Sequence, residues 1–184
     1  MKRLVQINVV CNGSTGRIMC DIAKKANDNG FEYYCFYGRG KPNNDVNCIK
    51  IGNKLSVYFH VLLTRIFNKH GHGSYFATKK MIKKLKNINP DIIHLHNIHG
   101  YYVNLKLFFK YLNNDFNGKV VWTFHDCWAF TGHCSYFTMA KCSKWKKQCY
   151  NCPQLNIYPK TIFDTTKNEF KLKKKLFLGL TRLS

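Results

Sequence analysis

The sequence is poor in acidic residues and in arginine. Only 9 of its 184 residues are Asp or Glu, against 30 Lys and Arg, and the formal net charge is +21. Such a surface attracts anions, including nucleic acid, anionic lipid and phosphorylated substrates. Bidentate recognition of bases and phosphates favours arginine. The chain has arginine only at Arg3, Arg17, Arg39, Arg65 and Arg182. This scarcity disfavours nucleic acid and leaves either a solvated lysine surface or one that faces a membrane.

The sequence also lacks a long apolar run. No stretch approaches the ~18 residues that span a bilayer, and Gln6 and Asn8 interrupt the apolar residues 4–10, unlike the core of a signal peptide. We therefore expect a cytoplasmic protein. Nine cysteines without an export signal predict free thiols, so burial or metal ligation is favoured over disulfides. We expect small buried core residues at Cys11, Cys20, Cys35 and Cys48.

Strand-like and helix-like patterns alternate along the chain. The hydrophobic periodicity predicts strands at residues 3–10, 33–37, 47–51, 91–96 and 119–124. It predicts helices after a glycine turn at 12–16 and at residues 55–67, 79–88, 103–112 and 169–180, with a flexible loop at 70–74. This alternation is typical of an α/β fold with a Rossmann-like parallel sheet. No strand follows the last helix, which predicts that the series continues beyond this sequence.

Residues 125–159 concentrate histidine, aspartate, aromatic residues and five cysteines in one loop. His125 and Asp126 follow a predicted strand directly, and ligands of open α/β sheets bind at the carboxyl ends of strands. A histidine there can bind a hydroxyl or a phosphate oxygen, and a carboxylate can orient or deprotonate an attacking hydroxyl. The alternative is that both residues cap the strand and hold the loop.

Three histidines cluster at the end of the preceding strand. We expect His94 to be a core histidine bonded to the backbone. His96, Asn97 and His99 lie at or beyond the strand end, beside Tyr101, and are better ligand candidates. His96 should lie near His125 in space. A zinc site made of histidines alone is a further alternative.

A glycine turn follows the first predicted strand. Gly13, Ser14, Thr15 and Gly16 open a helix, so their backbone N–H groups and the helix dipole could hold a phosphate. The turn has neither the G-x-G-x-x-G pattern nor the lysine of a P-loop. A plain tight turn is therefore the alternative.

Four cysteines have the spacing C-x7-C-x6-C-x2-C, namely Cys134, Cys142, Cys149 and Cys152. The closing C-x-x-C suits tetrahedral zinc, and four thiolates would make a closed structural site. His133 is available as a substitute ligand, and an iron–sulfur cluster or free thiols are the alternatives. A nucleophile made of Cys127 and His125 is also conceivable.

Several segments together resemble bacterial glycosyltransferases of family 4, of the kind that build exopolysaccharide, capsule and lipopolysaccharide. They are NGSTGRI (12–18), KHGHGSYFATKK (69–80), DIIHLHNIHGYYVN (91–104), HDCWAFTGHCSYF (125–137) and CPQLNIYPKT (152–161). The resemblance implies the GT-B architecture, in which two Rossmann-like domains face each other across a cleft. Residues 1–184 would be the amino-terminal, acceptor-side domain with a Cys-rich loop at 127–159. The carboxyl-terminal, donor-binding domain would be absent, so the chain alone would be inactive or very weak.

The resemblance also implies site residues and partners. It places His125 near the donor sugar, with Asp126 beside it as a second catalytic candidate, and His96, Asn97, His99 and Tyr101 on the acceptor side. The turn Gly13, Ser14, Thr15 and Gly16, with Arg17, would approach the donor diphosphate. Implied partners are a nucleotide-sugar donor, a glycan or polyprenyl-diphosphate-linked acceptor, and anionic membrane at the inner face of the plasma membrane. Transfer would retain the anomeric configuration without a catalytic metal, so zinc would be structural. The rival hypotheses are a zinc-stabilised module that binds nucleic acid or anionic lipid, and a cysteine-dependent enzyme.

Overall fold

The computed structural model describes residues 1–180 and is built on one five-stranded sheet. Its strands are β1 (Arg3–Val10), β2 (Glu32–Arg39), β3 (Cys48–Lys50), β4 (Ile92–Leu95) and β5 (Lys119–Trp122). The order across the sheet is β3-β2-β1-β4-β5, and every neighbouring pair is parallel. The predicted α/β, Rossmann-like parallel sheet is confirmed. The chain runs outward from β1 in both directions, so a topological switch point lies between β1 and β4.

Helices cover both faces of the sheet. They are α1 (Gly13–Asp28), α2 (Lys54–Phe67), α3 (Tyr75–Ile88), α4 (Leu105–Asn114) and α5 (Thr166–Leu178). One core cluster joins α1 to β2 through Met19, Ala23 and Cys35. The larger cluster joins β1 to α3 and α4. Alternation along β2 supplies both clusters, with Phe36 in the larger one and Cys35 in the other, because successive side chains of a strand point to opposite faces.

Two predictions differ most clearly from the structure. Helix α3 begins at Tyr75, one turn before the predicted start at residue 79. The flexible loop predicted at residues 70–74 is wrong, because this segment is largely buried and hydrogen-bonded. The Gly71 N–H donates to His60 Nε2 at 3.0 Å, and the Gly100 N–H donates to His70 Nε2 at 3.0 Å.

The cysteines of the sheet follow the prediction only in part. Cys20 and Cys35 are buried free thiols, as expected. Cys11 and Cys48, however, form a disulfide between the exit of β1 and the start of β3. The expectation of free thiols is wrong for this pair, because the fold brings together two cysteines that are 37 residues apart in sequence.

Two expectations concern the ends of the chain and its relation to membranes. The absence of a strand after the last helix falls on residues 181–184 and lies outside the described residues. Within residues 1–180, no helix combines the length and the apolar character needed to cross a membrane.

Gly16 allows α1 to approach β1 closely. A Cβ at this position would lie 2.6 Å from the Cys11 carbonyl carbon and 3.1 Å from the Val10 oxygen. We predict that Gly16→Ala lowers the free energy of unfolding by about 1–3 kcal/mol, because the helix must shift away from the strand. Urea unfolding measures the change. Ser14→Ala, at an exposed position of the same turn, is the control and should leave stability nearly unchanged. Equal stability of the two variants would contradict the close approach.

Candidate functional site

Gln6 is a fully buried polar residue in the central strand. Its side-chain Nε2 donates to the Met19 carbonyl at 2.7 Å, which leaves Oε1 facing His96 Nε2 at 3.0 Å. An amide oxygen can only accept a hydrogen bond, so His96 Nε2 carries the proton. Gln6 therefore fixes the tautomer of His96.

The hydrogen-bond chain continues from β4 to the end of β5. His96 Nδ1 lies 2.9 Å from His125 Nε2. Since His96 donates through Nε2, its Nδ1 accepts, and His125 Nε2 must be the donor. Burial lowers the pKa of His96 to about 3 and also lowers that of His125, so both rings are neutral at pH 7. The predicted proximity of His96 and His125 is confirmed. His125 Nδ1 is left with a free lone pair.

Asn8 joins the glycine turn to the exit of β4. Its Nδ2 donates to Thr15 Oγ1 at 3.2 Å, and its Oδ1 accepts from the Asn97 N–H at 3.3 Å. Two predicted parts of the site, the turn and the His96–Asn97 segment, therefore meet across one side chain. Gln6 and Asn8 are not among the predicted site residues. The signal that could have found them is their spacing, because two polar residues two positions apart on one face of an apolar central strand need polar partners.

The glycine turn presents an open helix end. Gly13 begins α1 with φ +76°, and Gly13, Ser14 and Arg17 are exposed. The Asn12 side chain makes no capping hydrogen bond to the helix, and its Nδ2 donates instead to the carbonyls of Lys41 and Pro42. The first turn carries no acidic residue. Its N–H groups are thus available to an anion, as the phosphate hypothesis requires.

Asp126 is engaged inside the protein. Its Oδ2 lies 2.8 Å from His99 Nε2, and its Oδ1 accepts from the Trp128 N–H at 2.9 Å. Burial opposes ionisation of this carboxyl, but the hydrogen bond from His99 holds its pKa below the ordinary value. His99 Nδ1 faces the Tyr158 hydroxyl at 3.2 Å. This geometry favours the alternative in which Asp126 holds the loop after β5 and orients His99.

Tyr101 belongs to a buried ring cluster. Its side chain is 7% exposed, and its ring centroid lies 4.6 Å from that of His70 and 5.9 Å from that of His60. The ring packs against protein on several sides, so Tyr101 is a core residue beneath the predicted site and not an exposed ligand contact. His94 is buried as predicted, but it bonds to the Thr123 hydroxyl at 2.8 Å and not to the backbone.

The four spaced cysteines line one small cavity. Cys149 Sγ accepts from the Gly132 N–H at 3.2 Å, and a hydrogen bond shared with Cys152 lowers the pKa of Cys134 to about 7. Among residues 1–180, no three His, Cys, Asp or Glu side chains are arranged to hold a metal ion, at the cysteines or at the histidines. The proposed nucleophile Cys127 gains no support, since burial raises its pKa and keeps the thiol protonated.

The chain is similar to known proteins over most of its length. The sequence model of the family described as Glycosyltransferase Family 4 matches residues 15–160, a range that contains Thr15, His96 and His125. The chain is also 28% identical over 192 residues to WcaC of Escherichia coli (strain K12), provisionally named a colanic acid biosynthesis glycosyl transferase. That alignment covers 98% of this chain and 46% of WcaC. The chain thus spans about half the length of the curated relative that it matches.

Buried neutral histidines should make the protein sensitive to acid. Burial lowers the pKa of His60 to about 4, of His96 to about 3 and of His133 to about 4. In the unfolded chain each imidazole has the ordinary value of about 6.5. Below that pH the unfolded state binds more protons, so we predict that stability falls between pH 6.5 and 4.5. The slope should be at most about 1.4 kcal/mol per pH unit for each histidine.

Urea unfolding at several pH values between 7 and 4.5 measures this slope. His133→Gln should be less stable and also less sensitive to pH, because it removes one of the titrating groups. Ile93→Val, which destabilises the core without removing a histidine, should keep the wild-type slope. An unchanged slope in His133→Gln would show that this histidine is protonated equally in both states.

Proposed function

Since this chain belongs to glycosyltransferase family 4, we propose that it forms the acceptor-side half of a site that transfers a sugar from a nucleotide-sugar donor. The family match covers residues 15–160, including the histidines at the carboxyl ends of β4 and β5. The switch point beside β1 is where folds of this topology bind their ligands. The proposed transfer needs donor-binding residues outside this chain.

One observation carries the proposal, namely the hydrogen-bond chain from Gln6 through His96 to His125. It fixes His125 as a neutral ring that donates from Nε2, so Nδ1 is the atom that a ligand meets. A neutral Nδ1 can accept a hydrogen bond from the hydroxyl of an acceptor sugar and draw its proton away as the new bond forms. A histidine with mixed tautomers would present the wrong nitrogen part of the time. The hydrogen bonds from Gln6 through His96 hold His125 in one tautomer.

The glycine turn is the proposed contact for the donor diphosphate. The open end of α1 offers N–H groups and the positive end of the helix dipole, and exposed Arg17 adds a charge. Asn8 links this turn to the histidine segment, so the diphosphate and the reacting sugar would be held against one framework.

The proposed pathway is the synthesis of cell-surface polysaccharide. WcaC carries a name from colanic acid biosynthesis, and we extend that class of pathway to this chain. The acceptor would be a glycan or a polyprenyl-diphosphate-linked sugar at the inner face of the membrane. Transfer would retain the anomeric configuration and use no catalytic metal.

The proposed role of His125 predicts a loss of activity without a loss of fold. In an enzyme that joins this chain to its donor-binding domain, His125→Ala should reduce turnover by about 10²–10⁴-fold. The assay is nucleotide release from a panel of nucleotide sugars, with thermal unfolding as the test of fold. Tyr136→Ala, an exposed aromatic truncation in the Cys-rich loop, is the control and should keep activity. Full turnover by His125→Ala would remove this residue from the site.

We also propose a structural zinc ion at the four spaced cysteines. The loop 127–159 contains only three short 3₁₀ turns, at Trp128–Phe130, Thr138–Ala140 and Lys144–Lys146. A loop of this length without longer helices or strands needs another constraint on its backbone. Cys134, Cys142, Cys149 and Cys152 line one cavity, and the thiols would have to move from their described positions to share a metal ion. The N–H bond to Cys149 is of the kind that supports a metal-bound thiolate.

Metal analysis tests this site. We expect near one zinc per chain in protein purified without added metal, and Cys142→Ser should lose it with a drop in thermal stability. Cys20→Ser, which changes a buried thiol in the α1 core, should keep the zinc. A metal-free wild-type protein with four free thiols would refute the proposal.

The rival hypothesis of a zinc-stabilised binding module shares the cysteine site and the basic surface. It assigns no role to the hydrogen bonds that join Gln6, His96 and His125, although these residues lie on or just after three different strands. For that reason we rank transfer above it.

A further inference from the structure

Arg39 is a charged residue for which the protein provides no counter-charge. It is the last residue of β2, at the carboxyl edge of the sheet. Its Nε is buried and has no hydrogen-bond partner among residues 1–180, while the residue as a whole is only half-buried. No ion pair in that range involves Arg39, although all nine carboxylates of the chain lie there. Buried polar groups normally find partners, so this guanidinium needs an explanation.

Neighbouring residues hold the guanidinium in place. Arg39 Cζ lies 5.4 Å from the centre of the Tyr101 ring. A Cβ on Gly100 would lie 3.6 Å from Arg39 Nη2 and 2.5 Å from the Val9 side chain, so the glycine lets the loop after β4 pass close to both. A guanidinium over an aromatic ring keeps its planar fork of N–H donors in one orientation. Arg39 is therefore positioned before any ligand binds.

Arg39 lies at the same edge of the sheet as the glycine turn. It pairs in register with Val10, the last residue of β1. The Asn12 side chain joins the turn to the segment after β2, since its Nδ2 donates to the Lys41 carbonyl at 2.8 Å and to the Pro42 carbonyl at 3.2 Å. The position of Arg39 relative to the open end of α1 is thus fixed by strand pairing and by these two bonds.

The charge of Arg39 also reaches the tyrosines beside His99. Burial raises the pKa of Tyr158 and of Tyr102, and the positive charge of Arg39 opposes that rise in both. The Tyr158 hydroxyl lies 3.2 Å from His99 Nδ1. Arg39 therefore lies within electrostatic reach of the loop that carries His99.

Arg39 and His125 are too far apart to act on one small group. The sheet order puts β1 and β4 between β2 and β5, and three strand spacings amount to roughly 14 Å. A molecule whose hydroxyl meets His125 could therefore reach Arg39 only with a different part. That part would lie beyond the sugar ring that carries the hydroxyl.

We propose that Arg39 is a specificity-determining residue that binds a singly charged oxyanion of the acceptor, away from the reacting hydroxyl. The group would be the carboxylate of an acidic sugar or a phosphodiester, because the guanidinium fork matches two oxygens of either group. One guanidinium balances one negative charge, whereas the donor diphosphate carries more and is assigned to the α1 turn. The identity of the ligand as an acceptor rests on the proposed sugar transfer.

Arginine side-chain NMR tests the site in the 184-residue chain without any activity assay. The chain has five arginines, so few Nε–H signals are expected, and Arg39→Lys identifies the signal of Arg39 by its loss. We expect sodium glucuronate and dimethyl phosphate, added separately, to shift this signal in a saturable way. Glucose, which carries no charge, and sodium chloride at the same ionic strength should leave it nearly unchanged.

Arg65 is the matched control for this titration. It is exposed and forms no ion pair in the described part of the chain. Its signal should move much less than that of Arg39. Equal shifts of the two signals would show a general attraction of anions to a basic protein and would overturn the proposal, as would an Arg39 signal that neither anion shifts. A response to one anion alone would support the site and identify its ligand as a carboxylate or a phosphodiester.

Kinetics of the enzyme joined to its donor-binding domain separate ligand binding from structural support. Arg39→Gln should raise KM for an acidic acceptor by about tenfold or more with kcat nearly unchanged, because it removes a contact that is made before the reaction. Its KM for a neutral acceptor should change little. Arg39→Lys, which keeps the charge but loses the fork, should be intermediate, and Arg65→Gln should match the wild type. Thermal unfolding shows that each variant is folded.

The outcomes distinguish this proposal from the proposed transfer. Equal changes in KM for acidic and neutral acceptors in Arg39→Gln would show that Arg39 only supports the fold, and would overturn its role in specificity. A wild-type enzyme that transfers sugar to no acceptor would contradict the proposed function and the assignment of the ligand as an acceptor. In that case a selective shift of the Arg39 signal would still establish the oxyanion site, and the lack of one would remove it.

Discussion

Gln6 sits in the central strand with no exposed surface, so both ends of its amide must find partners within the protein. The Met19 carbonyl satisfies the nitrogen and His96 satisfies the oxygen, which ties α1, β1 and β4 together. Leaving one of these groups without a partner would cost about 1–3 kcal/mol. The same requirement decides which nitrogen of His96 is protonated, and through it which nitrogen of His125 can meet a ligand. The burial of Gln6 in the core thus determines which nitrogen of His125 is open to a ligand at the edge of the sheet.

A second polar layer lies beneath α2. His60, His70 and Tyr101 fill space that aliphatic side chains fill in most domains of this size, and burial keeps both histidines uncharged. A neutral imidazole both donates and accepts, so it can join turns such as 70–74 to a helix where an aliphatic side chain could not. Because this layer takes the inward face of α2, the apolar residues of that helix are left on the outside.

The sequence predicts the elements of this fold better than their contacts. Alternation and helical spacing locate all five strands, since these patterns are local. The pairing of Cys11 with Cys48 and of Gln6 with His96 depends on which strands become neighbours, and no local pattern carries that information. The segment 70–74 was misread for a related reason. Glycines often indicate mobility, but Gly71 and Gly73 lie where the Leu105 and His60 side chains occupy the space of a Cβ. Asp126 was placed correctly at the strand end, but its pairing with His99 changes its role.

The residues at the edge of the sheet place a joint condition on the substrates of the proposed transfer. In that proposal a hydroxyl meets His125 Nδ1 and a diphosphate meets the open end of α1. Asn8 joins these two places, because its side chain bonds to Thr15 in the turn and to the Asn97 N–H beside His96. The distance between them is therefore fixed by the central strand and not by a loop. A donor and an acceptor would have to fit that fixed distance together, so the core of the domain would limit which pairs of substrates can react.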